Sequence, residues 1–254
     1  MGMPRLFDLT NKTALITGAG KGIGKAIAVT YAKFGADVLI CSRTKSDLEK
    51  TAEKVRRQGR KAYCFVMDIS NMEDVSRGAH KAIEMADKID ILVNNAGTNI
   101  PRKALEVTEQ QWDIIQNTNV KGLFFFTQEI AKGMLERKKG KIVNIASNLG
   151  LVGSAERSAY VTSKGAVVLL TKALAAEWAP YNINVNAICP AMIKTTLVAQ
   201  LTSQGYRTNM IKKIPMGRLG KVEDVVGAAV FLASEASNFV TGHALVVDGG
   251  YLAV

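Results

Sequence analysis

Short runs of consecutive apolar residues alternate with amphipathic segments along almost the whole chain. The apolar runs predict strands over residues 13–17, 37–42, 62–67, 89–93, 141–145, 184–188 and 244–247. The segments between them predict helices over residues 23–34, 46–58, 72–85, 110–137 and 222–232, and a further helix that holds Tyr160 and Lys164 and ends near Trp178. Uninterrupted apolar strands, each followed by a helix, are typical of a parallel sheet covered by helices on both faces. The pattern therefore predicts a doubly wound α/β fold.

The composition indicates one domain of ordinary size. The chain has 254 residues, of which 48% are hydrophobic, and neither a repeat nor a linker interrupts the alternation, so we expect residues 1–254 to form a single domain. It contains no run of 18 apolar residues and begins without the apolar core of a signal peptide, so we expect no membrane association. Cys41, Cys64 and Cys189 lie in separate apolar runs, which predicts buried free thiols and a cytoplasmic location.

The formal charge of +11 raises the question of a nucleic-acid partner. The two densest basic runs, residues 54–61 and 137–141, lie where helices are predicted to end, and lysine and arginine are favoured there by the helix dipole. The remaining basic residues are scattered, so we expect no nucleic-acid binding. An anionic cofactor or substrate accounts for part of the charge more simply.

Four glycines follow the first predicted strand, in the segment T-G-A-G-K-G-I-G at residues 17–24. Glycines between a strand and a helix allow a tight turn and a close approach of the backbone to a ligand, and the N–H groups at the helix start bind a pyrophosphate. A Walker-type loop would need a hydroxyl residue after its lysine, whereas Ala26 follows Lys25. The segment therefore predicts dinucleotide binding.

Tyr160 and Lys164 are four residues apart within a predicted helix. That spacing puts both side chains on one face, where a lysine ammonium favours the phenolate and lowers the pKa of tyrosine from about 10. A Y-x-x-x-K pair alone is unspecific, because two side chains on a wet helix surface give the same pattern. Its meaning depends on the surrounding motifs.

Those motifs resemble the short-chain dehydrogenase/reductase family along essentially the whole chain. The resemblance rests on T-G-A-G-K-G-I-G, on N-N-A-G at residues 94–97, and on Asn119, Ser147, Tyr160 and Lys164 in the family's catalytic order. It extends to C-P-A-M-I-K-T at residues 189–195 and V-D-G-G at residues 247–250. It implies a Rossmann-type fold and an NAD(P)-dependent oxidoreductase. Ala191 departs from the family, which usually has glycine there, and we expect a slightly tighter turn with binding retained.

The resemblance also implies roles for the catalytic residues. Tyr160 would be the general acid when a carbonyl is reduced and the general base when an alcohol is oxidised, and Lys164 and the oxidised nicotinamide would lower its pKa. Lys164 would also bind the nicotinamide ribose. Ser147 would hold the substrate oxygen, and Asn119 would anchor a water that relays protons to Lys164.

Cofactor preference follows from the residues after the second strand. NAD enzymes usually carry an acid there, whereas this chain has Ser42 followed by Arg43, which could clasp a 2′-phosphate together with Lys21. We therefore predict NADP(H), with Asp68 on the adenine amino group, Thr195 on the nicotinamide carboxamide and no metal. The expected cofactor residues are Gly18, Gly20, Lys21, Gly22, Ile23, Gly24, Ser42, Arg43, Asp68, Ile69, Asn95, Ala96, Gly97, Tyr160, Lys164, Pro190, Ile193 and Thr195.

The substrate is less sharply defined. Residues 191–217 look like a lid, and we expect a pocket lined by Ser147, Asn148, Leu149, Leu151, Tyr160, Met192 and either Thr98 or Asn99. The sequences of several segments are similar to gluconate 5-dehydrogenase-like members acting on sugar acids or polyols. The 3-oxoacyl-carrier-protein reductases share nearly the same motifs, so reduction of a 3-oxoacyl group is the alternative activity. A dinucleotide sensor without turnover is a third hypothesis, which the intact catalytic set disfavours. The family resemblance also implies a homotetramer with residues 239–254 at an interface.

Overall fold

Seven parallel strands form one sheet at the centre of the protein. The structure is a computed structural model that describes residues 5–254. The strands are β1 (Thr13–Thr17), β2 (Asp37–Ser42), β3 (Ala62–Val66), β4 (Ile91–Asn94), β5 (Gly140–Ile145), β6 (Ile183–Pro190) and β7 (Ala244–Val247). They are hydrogen-bonded in the order β3-β2-β1-β4-β5-β6-β7, and each neighbouring pair is parallel.

Helices connect the strands and cover both faces of the sheet. They are α1 (Gly22–Lys33), α2 (Lys45–Arg56), α3 (Met72–Met85), α4 (Glu109–Gln116), α5 (Gly122–Glu136), α6 (Ser158–Trp178), α7 (Thr196–Leu201), α8 (Gln204–Lys212) and α9 (Val222–Ala233). Helices α1 and α9 pack against each other on one face, and α3 packs against α5 on the other. The predicted α/β fold is confirmed.

The two faces of the sheet explain why the strands are mostly apolar. Along β1, Ile16 packs into the core with α1, α2 and α9, whereas its neighbour Leu15 packs into the core with α3, α5 and α6. Residues Ile40 and Leu39 divide in the same way along β2. Successive strand residues point to opposite faces, and here each face meets a helical layer, so apolar residues are favoured on both.

The order of strands places a crevice between β1 and β4. From β1 the chain builds outward through β2 and β3, and then returns to add β4 to β7 on the other side. In open α/β sheets such a reversal separates the connections that follow the two central strands, and ligands bind beyond the carboxyl ends of the strands there. The glycine segment follows β1 and the N-N-A-G segment includes the end of β4, so both lie at this crevice.

Most predicted elements are shifted by at most two residues, and two regions differ more. The helix predicted over residues 110–137 is interrupted by a π-helical turn, Asn117–Lys121. The turn places Gly122 so close to the backbone oxygen of Ile69 that a side chain there would collide with it. Helices α7 and α8 were not predicted, because the polar segment 191–217 lacks apolar periodicity.

Within residues 5–254, no helix is both long enough and apolar enough to cross a bilayer. Cys41, Cys64 and Cys189 are free thiols, and Cys41 and Cys189 are buried as expected. Cys64 is half-buried, because it lies on the outermost strand β3.

Candidate active site

A cavity of about 700 Å³ lies at the carboxyl ends of the strands. Its wall is built from the segments that follow β1 to β6, together with part of α6 and the segment that contains α7 and α8. Of the residues predicted for cofactor, catalysis or substrate, all line this cavity except Gly24, Asn119 and Leu151. Leu151 is exposed, and the prediction that it lines the pocket was wrong.

Two of the four loop glycines are required by packing between protein segments. Gly18 has φ +65°, and a Cβ on it would stand 2.8 Å from the Cα of Ala96, while a Cβ on Gly24 would collide with the Asn95 amide. Asn95 donates from Nδ2 to the carbonyl oxygens of Thr17 (2.9 Å) and Gly18 (3.1 Å). The glycine segment and the N-N-A-G segment therefore hold each other in place, and Gly24 acts through this packing without reaching the cavity.

The start of α1 fits a pyrophosphate. Gly22 opens the helix with φ +56°, and no side chain caps the first turn. The first N–H groups of the helix therefore have no side-chain partner, and they lie beside the cavity next to Gly20 and Lys21. This arrangement satisfies the geometric requirement for a dinucleotide phosphate at this position.

The end of the cavity near β2 contains both positively and negatively charged side chains. Ser42 and Arg43 line it, as predicted for the adenosine ribose, and Lys21 lies nearby. The carboxylate of Asp47, in the first turn of α2, is 3.0 Å from the ammonium of Lys21. The sequence analysis missed Asp47, because its position in the cavity depends on the angle at which α2 leaves β2.

Asp68 follows β3 and also lines this end of the cavity. Its Oδ1 accepts hydrogen bonds from the Ser70 backbone N–H at 3.0 Å and from the Ser70 hydroxyl at 2.7 Å. At the opposite end, the Thr195 hydroxyl accepts from the Val198 N–H and caps α7. Both side chains are therefore held in place by hydrogen bonds to neighbouring residues, and both line the cavity.

Tyr160 and Lys164 lie one turn apart near the start of α6, and both face the cavity. Lys164 is only 4% exposed, and its Nζ donates to the Ile145 carbonyl oxygen at 2.8 Å. The same Nζ stands 5.9 Å from the centroid of the Tyr160 ring. Ser147 follows β5, and its Oγ accepts from the Leu149 N–H at 3.1 Å, so the hydroxyl is fixed beside the tyrosine.

The protein groups shift the pKa values of this pair toward their neutral forms. Burial raises the pKa of Tyr160, although a hydrogen bond with Ser147 and the positive charge of Arg157 oppose the shift. Burial lowers the pKa of Lys164 to about 8. The expectation that Lys164 lowers the pKa of Tyr160 is therefore not met by the protein groups alone, because burial outweighs the opposing effects of Ser147 and Arg157.

Asn119 lies in the π-helical turn and is fully buried. Its Oδ1 accepts from the Thr98 N–H (2.8 Å), and its Nδ2 donates to the Thr98 oxygen and to the Ser163 Oγ (both 2.9 Å). Ser163 in turn donates to the Tyr160 carbonyl oxygen at 2.8 Å. Asn119 thus ties the segment after β4 to the first turn of α6, where the tyrosine lies.

The substrate end of the cavity contains two residues that the sequence analysis missed. Arg157 immediately precedes α6, and its guanidinium carbon lies 5.5 Å from the centroid of the Tyr206 ring on α8. Arg157 is only 6% exposed although it carries a charge. No sequence motif singles it out, because nothing in the segment 154–158 predicts which way its side chain turns.

Comparison with protein families identifies the chain. The family model described as enoyl-(acyl carrier protein) reductase matches residues 18–252. The chain belongs to the short-chain dehydrogenase/reductase family. It is an NAD(P)-dependent oxidoreductase that acts on CH–OH groups, in agreement with the motifs and their order.

Individual relatives of this family are similar to the chain over nearly its whole length. The 2-dehydro-3-deoxy-D-gluconate 5-dehydrogenase of Bacillus subtilis is 44% identical over 247 residues, 97% of this chain and 96% of the relative. The NAD-dependent glycerol dehydrogenase of Listeria innocua is 38% identical over 250 residues, 98% of this chain and 97% of the relative. The crystal structure of a gluconate 5-dehydrogenase from Burkholderia cenocepacia in complex with NADP and tartrate has a TM-score of 0.93 and 35% identity, covering 98% of both chains.

Ala191, the one departure from the family pattern, fits its position without strain. Its N–H donates to the Val247 carbonyl oxygen at 3.1 Å. Among residues 5–254, the non-glycine positions with positive φ are Asn11, Lys138, Glu156 and Asn182, so Ala191 has an ordinary backbone conformation. Its methyl group therefore requires no left-handed turn beside the cavity.

Proposed function

We propose that this enzyme interconverts a ketone and a secondary alcohol of a sugar acid, with NADP(H) as the preferred cofactor and Tyr160 as the general acid and base. The observation that carries the proposal is the convergence of Tyr160, Ser147 and Lys164 on one cavity that also begins at the glycine segment. Relatives that act on gluconate and its dehydro-deoxy derivative support the substrate class. Asn99, Asn148 and Gln200 are among the residues that line the cavity, and their amides offer hydrogen-bond donors and acceptors to the hydroxyl groups of such a substrate.

The bound nicotinamide supplies a hydride to the carbonyl carbon in reduction and accepts one in oxidation. The protein supplies the proton: Tyr160 donates it from Oη to the carbonyl oxygen and recovers it from the alcohol in the reverse direction. The Ser147 hydroxyl donates a hydrogen bond to the same substrate oxygen, which holds the carbonyl beside the phenol. Each turnover thus adds or removes one hydride and one proton.

Lys164 and Asn119 restore the proton on Tyr160 in this proposal. Lys164 Nζ and Asn119 Oδ1 both lie within 3.5 Å of the point at which a Cβ on Gly97 would stand. A water between them would relay protons to the lysine, as the family resemblance implies. The Asn119 amide already uses its Nδ2 hydrogens on Thr98 and Ser163, so such a water would bind to Asn119 through its Oδ1 and not through its Nδ2.

Arg43 and Lys21 are proposed to bind the 2′-phosphate of NADP(H), although Asp47 competes for Lys21.

We also propose a homotetramer. Exposed apolar side chains lie on two separate parts of the surface, Trp112, Phe125 and Leu169 on α4, α5 and α6, and Phe239 and Val246 near the C-terminus. Free cysteines fit a reducing compartment such as the cytoplasm.

The test compares the wild-type enzyme with Tyr160→Phe in the reduction of 5-ketogluconate by NADPH. The phenylalanine keeps the ring and removes the proton, so kcat should fall by roughly 10²–10⁴-fold. The dissociation constant for NADPH should change by less than about threefold, because the ring stays in place.

An acetoacetyl thioester, assayed beside 5-ketogluconate, distinguishes the sugar-acid enzyme from a carrier-protein reductase. We expect the ketogluconate to have the higher kcat/KM in the wild-type enzyme. A preference for the thioester would replace the substrate assignment, and near-normal turnover by Tyr160→Phe would refute the assigned mechanism.

A further inference from the structure

Arg157 is a buried cation that the reaction described above does not use. Its side chain is 94% buried, and within residues 5–254 it makes neither a hydrogen bond nor an ion pair. The Nη1 atom in particular is buried without a partner. The face of the Tyr206 ring, 5.5 Å away, offers only a cation–π contact.

Leaving a guanidinium in this state is costly for a folded protein. Removing a charge from water without a counter-ion is unfavourable, and arginine does not escape the cost by losing its proton. A cation–π contact compensates only part of this cost. The remainder is recovered if a bound ligand brings the missing negative charge.

The guanidinium lines the same cavity as Tyr160 and Ser147. Arg157 precedes Tyr160 by three residues at the start of α6, and its positive charge opposes the rise that burial causes in the pKa of the phenol. A substrate whose carbonyl oxygen lies at the phenol would therefore share this cavity with the guanidinium.

Within residues 5–254, two acidic residues line the cavity: Asp47, in the first turn of α2, and Asp68, which follows β3. Asp47 is paired with Lys21, and Asp68 is bonded to Ser70. In the sheet order, β3 and β5 are four strand spacings apart, about 19 Å, so neither carboxylate lies near the Ser147 end.

We infer that Arg157 binds the carboxylate of the substrate and selects sugar acids over neutral polyols. The inference rests on the proposed function and names the group that recognises the acid. A guanidinium offers paired N–H donors to a carboxylate. Nη1 has almost no accessible surface, so a ligand in the cavity reaches the remaining donors of Arg157, which make no hydrogen bond within residues 5–254. The ring centroid of Tyr206, on α8, lies 5.5 Å from the guanidinium carbon, so α8 contributes to the same part of the cavity.

The binding test uses the NADPH-loaded protein, which cannot oxidise gluconate, and compares two ligands that differ only at C1. Gluconate carries a carboxylate there, and sorbitol carries a hydroxymethyl group. We expect the wild-type protein to bind gluconate more tightly than sorbitol in calorimetric titration. Arg157→Gln should weaken gluconate binding about 10- to 100-fold and sorbitol binding by less than about threefold.

Two further variants control for charge and geometry. Arg157→Lys keeps the charge but loses the paired donors, so it should recover part of the gluconate affinity. Lys172→Gln removes one positive charge from an exposed position on the same helix and should change neither affinity. Thermal unfolding supplies an independent readout, because gluconate should raise the melting temperature of the wild-type protein much more than that of Arg157→Gln.

The possible results separate this inference from the proposed function. Equal losses for gluconate and sorbitol in Arg157→Gln would overturn the inference, and so would gluconate affinity unchanged from wild type. Stronger binding of inorganic phosphate than of gluconate would also overturn it, because the subsite would then select a phosphate. If gluconate binds through Arg157 but is not oxidised, the subsite stands and the proposed reaction fails.

Discussion

Lys21 and Arg43 are both cations at the adenosine end of the cavity, but the structure leaves them in different situations. Lys21 is held by the Asp47 carboxylate at 3.0 Å, whereas no ion pair within residues 5–254 engages Arg43. Arg43 is exposed beside the cavity, directly after Ser42. A guanidinium binds phosphate through paired donors, so we expect Arg43 to contribute more than Lys21 to the proposed preference for NADP(H).

Replacing Arg43 by alanine should therefore weaken NADPH binding about 10- to 100-fold and NADH binding by less than about threefold. Fluorescence titration of both cofactors at one ionic strength measures the two affinities. Asp47→Asn should act in the opposite direction and tighten NADPH binding, because it releases Lys21 and removes a negative charge from the site.

Arg57→Ala serves as the charge-matched control for Arg43→Ala. Arg57 is exposed just after α2 and pairs with Glu53, away from the cavity. It should leave both cofactor affinities unchanged. Equal losses of NADPH and NADH affinity in Arg43→Ala would show that this arginine does not recognise the 2′-phosphate.

At the scale of elements, the site depends on the joint between α4, α5 and α6. The π-helical turn between α4 and α5 carries Asn119, whose amide bonds to the Thr98 backbone and to Ser163 on α6. A second set of buried amides lies behind it. Asn94 donates to Thr127 and Asn144, and Asn144 donates to Thr171 on α6. These bonds fix α6, and with it Tyr160, relative to β4 and β5.

Asn119→Ala should lower the free energy of unfolding by about 1–3 kcal/mol, since it removes the hydrogen bonds to the half-buried Thr98 backbone and to the buried Ser163 hydroxyl. Asn117→Ala is the matched control. It lies in the same turn and makes no side-chain hydrogen bond within residues 5–254, so its cost should stay below about 0.5 kcal/mol. Urea unfolding at one protein concentration gives both values, and comparable losses would show that the Asn119 amide has no special role.

Elements with a strong apolar period could be predicted from the sequence, and those that depend on tertiary contacts could not. Strands β1, β2 and β7 and helix α3 have the predicted bounds, because each shows an apolar run or period with clear ends. The π-helical turn could not be predicted, because it depends on the approach of Gly122 to Ile69. Helices α7 and α8 cover the cavity with a mixture of polar and apolar residues, so their sequences show only a weak helical period of apolar residues.

The site divides along a similar line. Motif spacing brought most of the predicted residues to one cavity, since each motif follows a strand and parallel strands end at one edge. Asp47 and Arg157 were missed, because their importance depends on which way a side chain turns after its helix or loop is placed. The reason for Gly24 also differs from the prediction, since it packs against Asn95 and does not contact the cavity.

At the scale of the whole molecule, two layers of helices bury the groups proposed to react, and the open cavity at the carboxyl ends of the strands keeps them accessible. Burial alone raises the pKa of Tyr160 and lowers that of Lys164 to about 8, which opposes an ionised phenol. A positive charge on the bound oxidised cofactor acts in the other direction. Under the proposed mechanism, the positive charge of the bound cofactor is therefore needed to lower the pKa of Tyr160 so that it can exchange its proton near neutral pH.

Titration of Tyr160 with and without NADP⁺ tests this requirement most directly. The phenolate absorbance of the wild-type protein minus that of Tyr160→Phe isolates this tyrosine from the other five. We expect its pKa to lie above the usual value for tyrosine in the free protein and to fall when NADP⁺ binds, because the bound positive charge favours the phenolate. A pKa that is the same in both states, or higher with NADP⁺, would contradict the assignment of Tyr160 as the general acid and base.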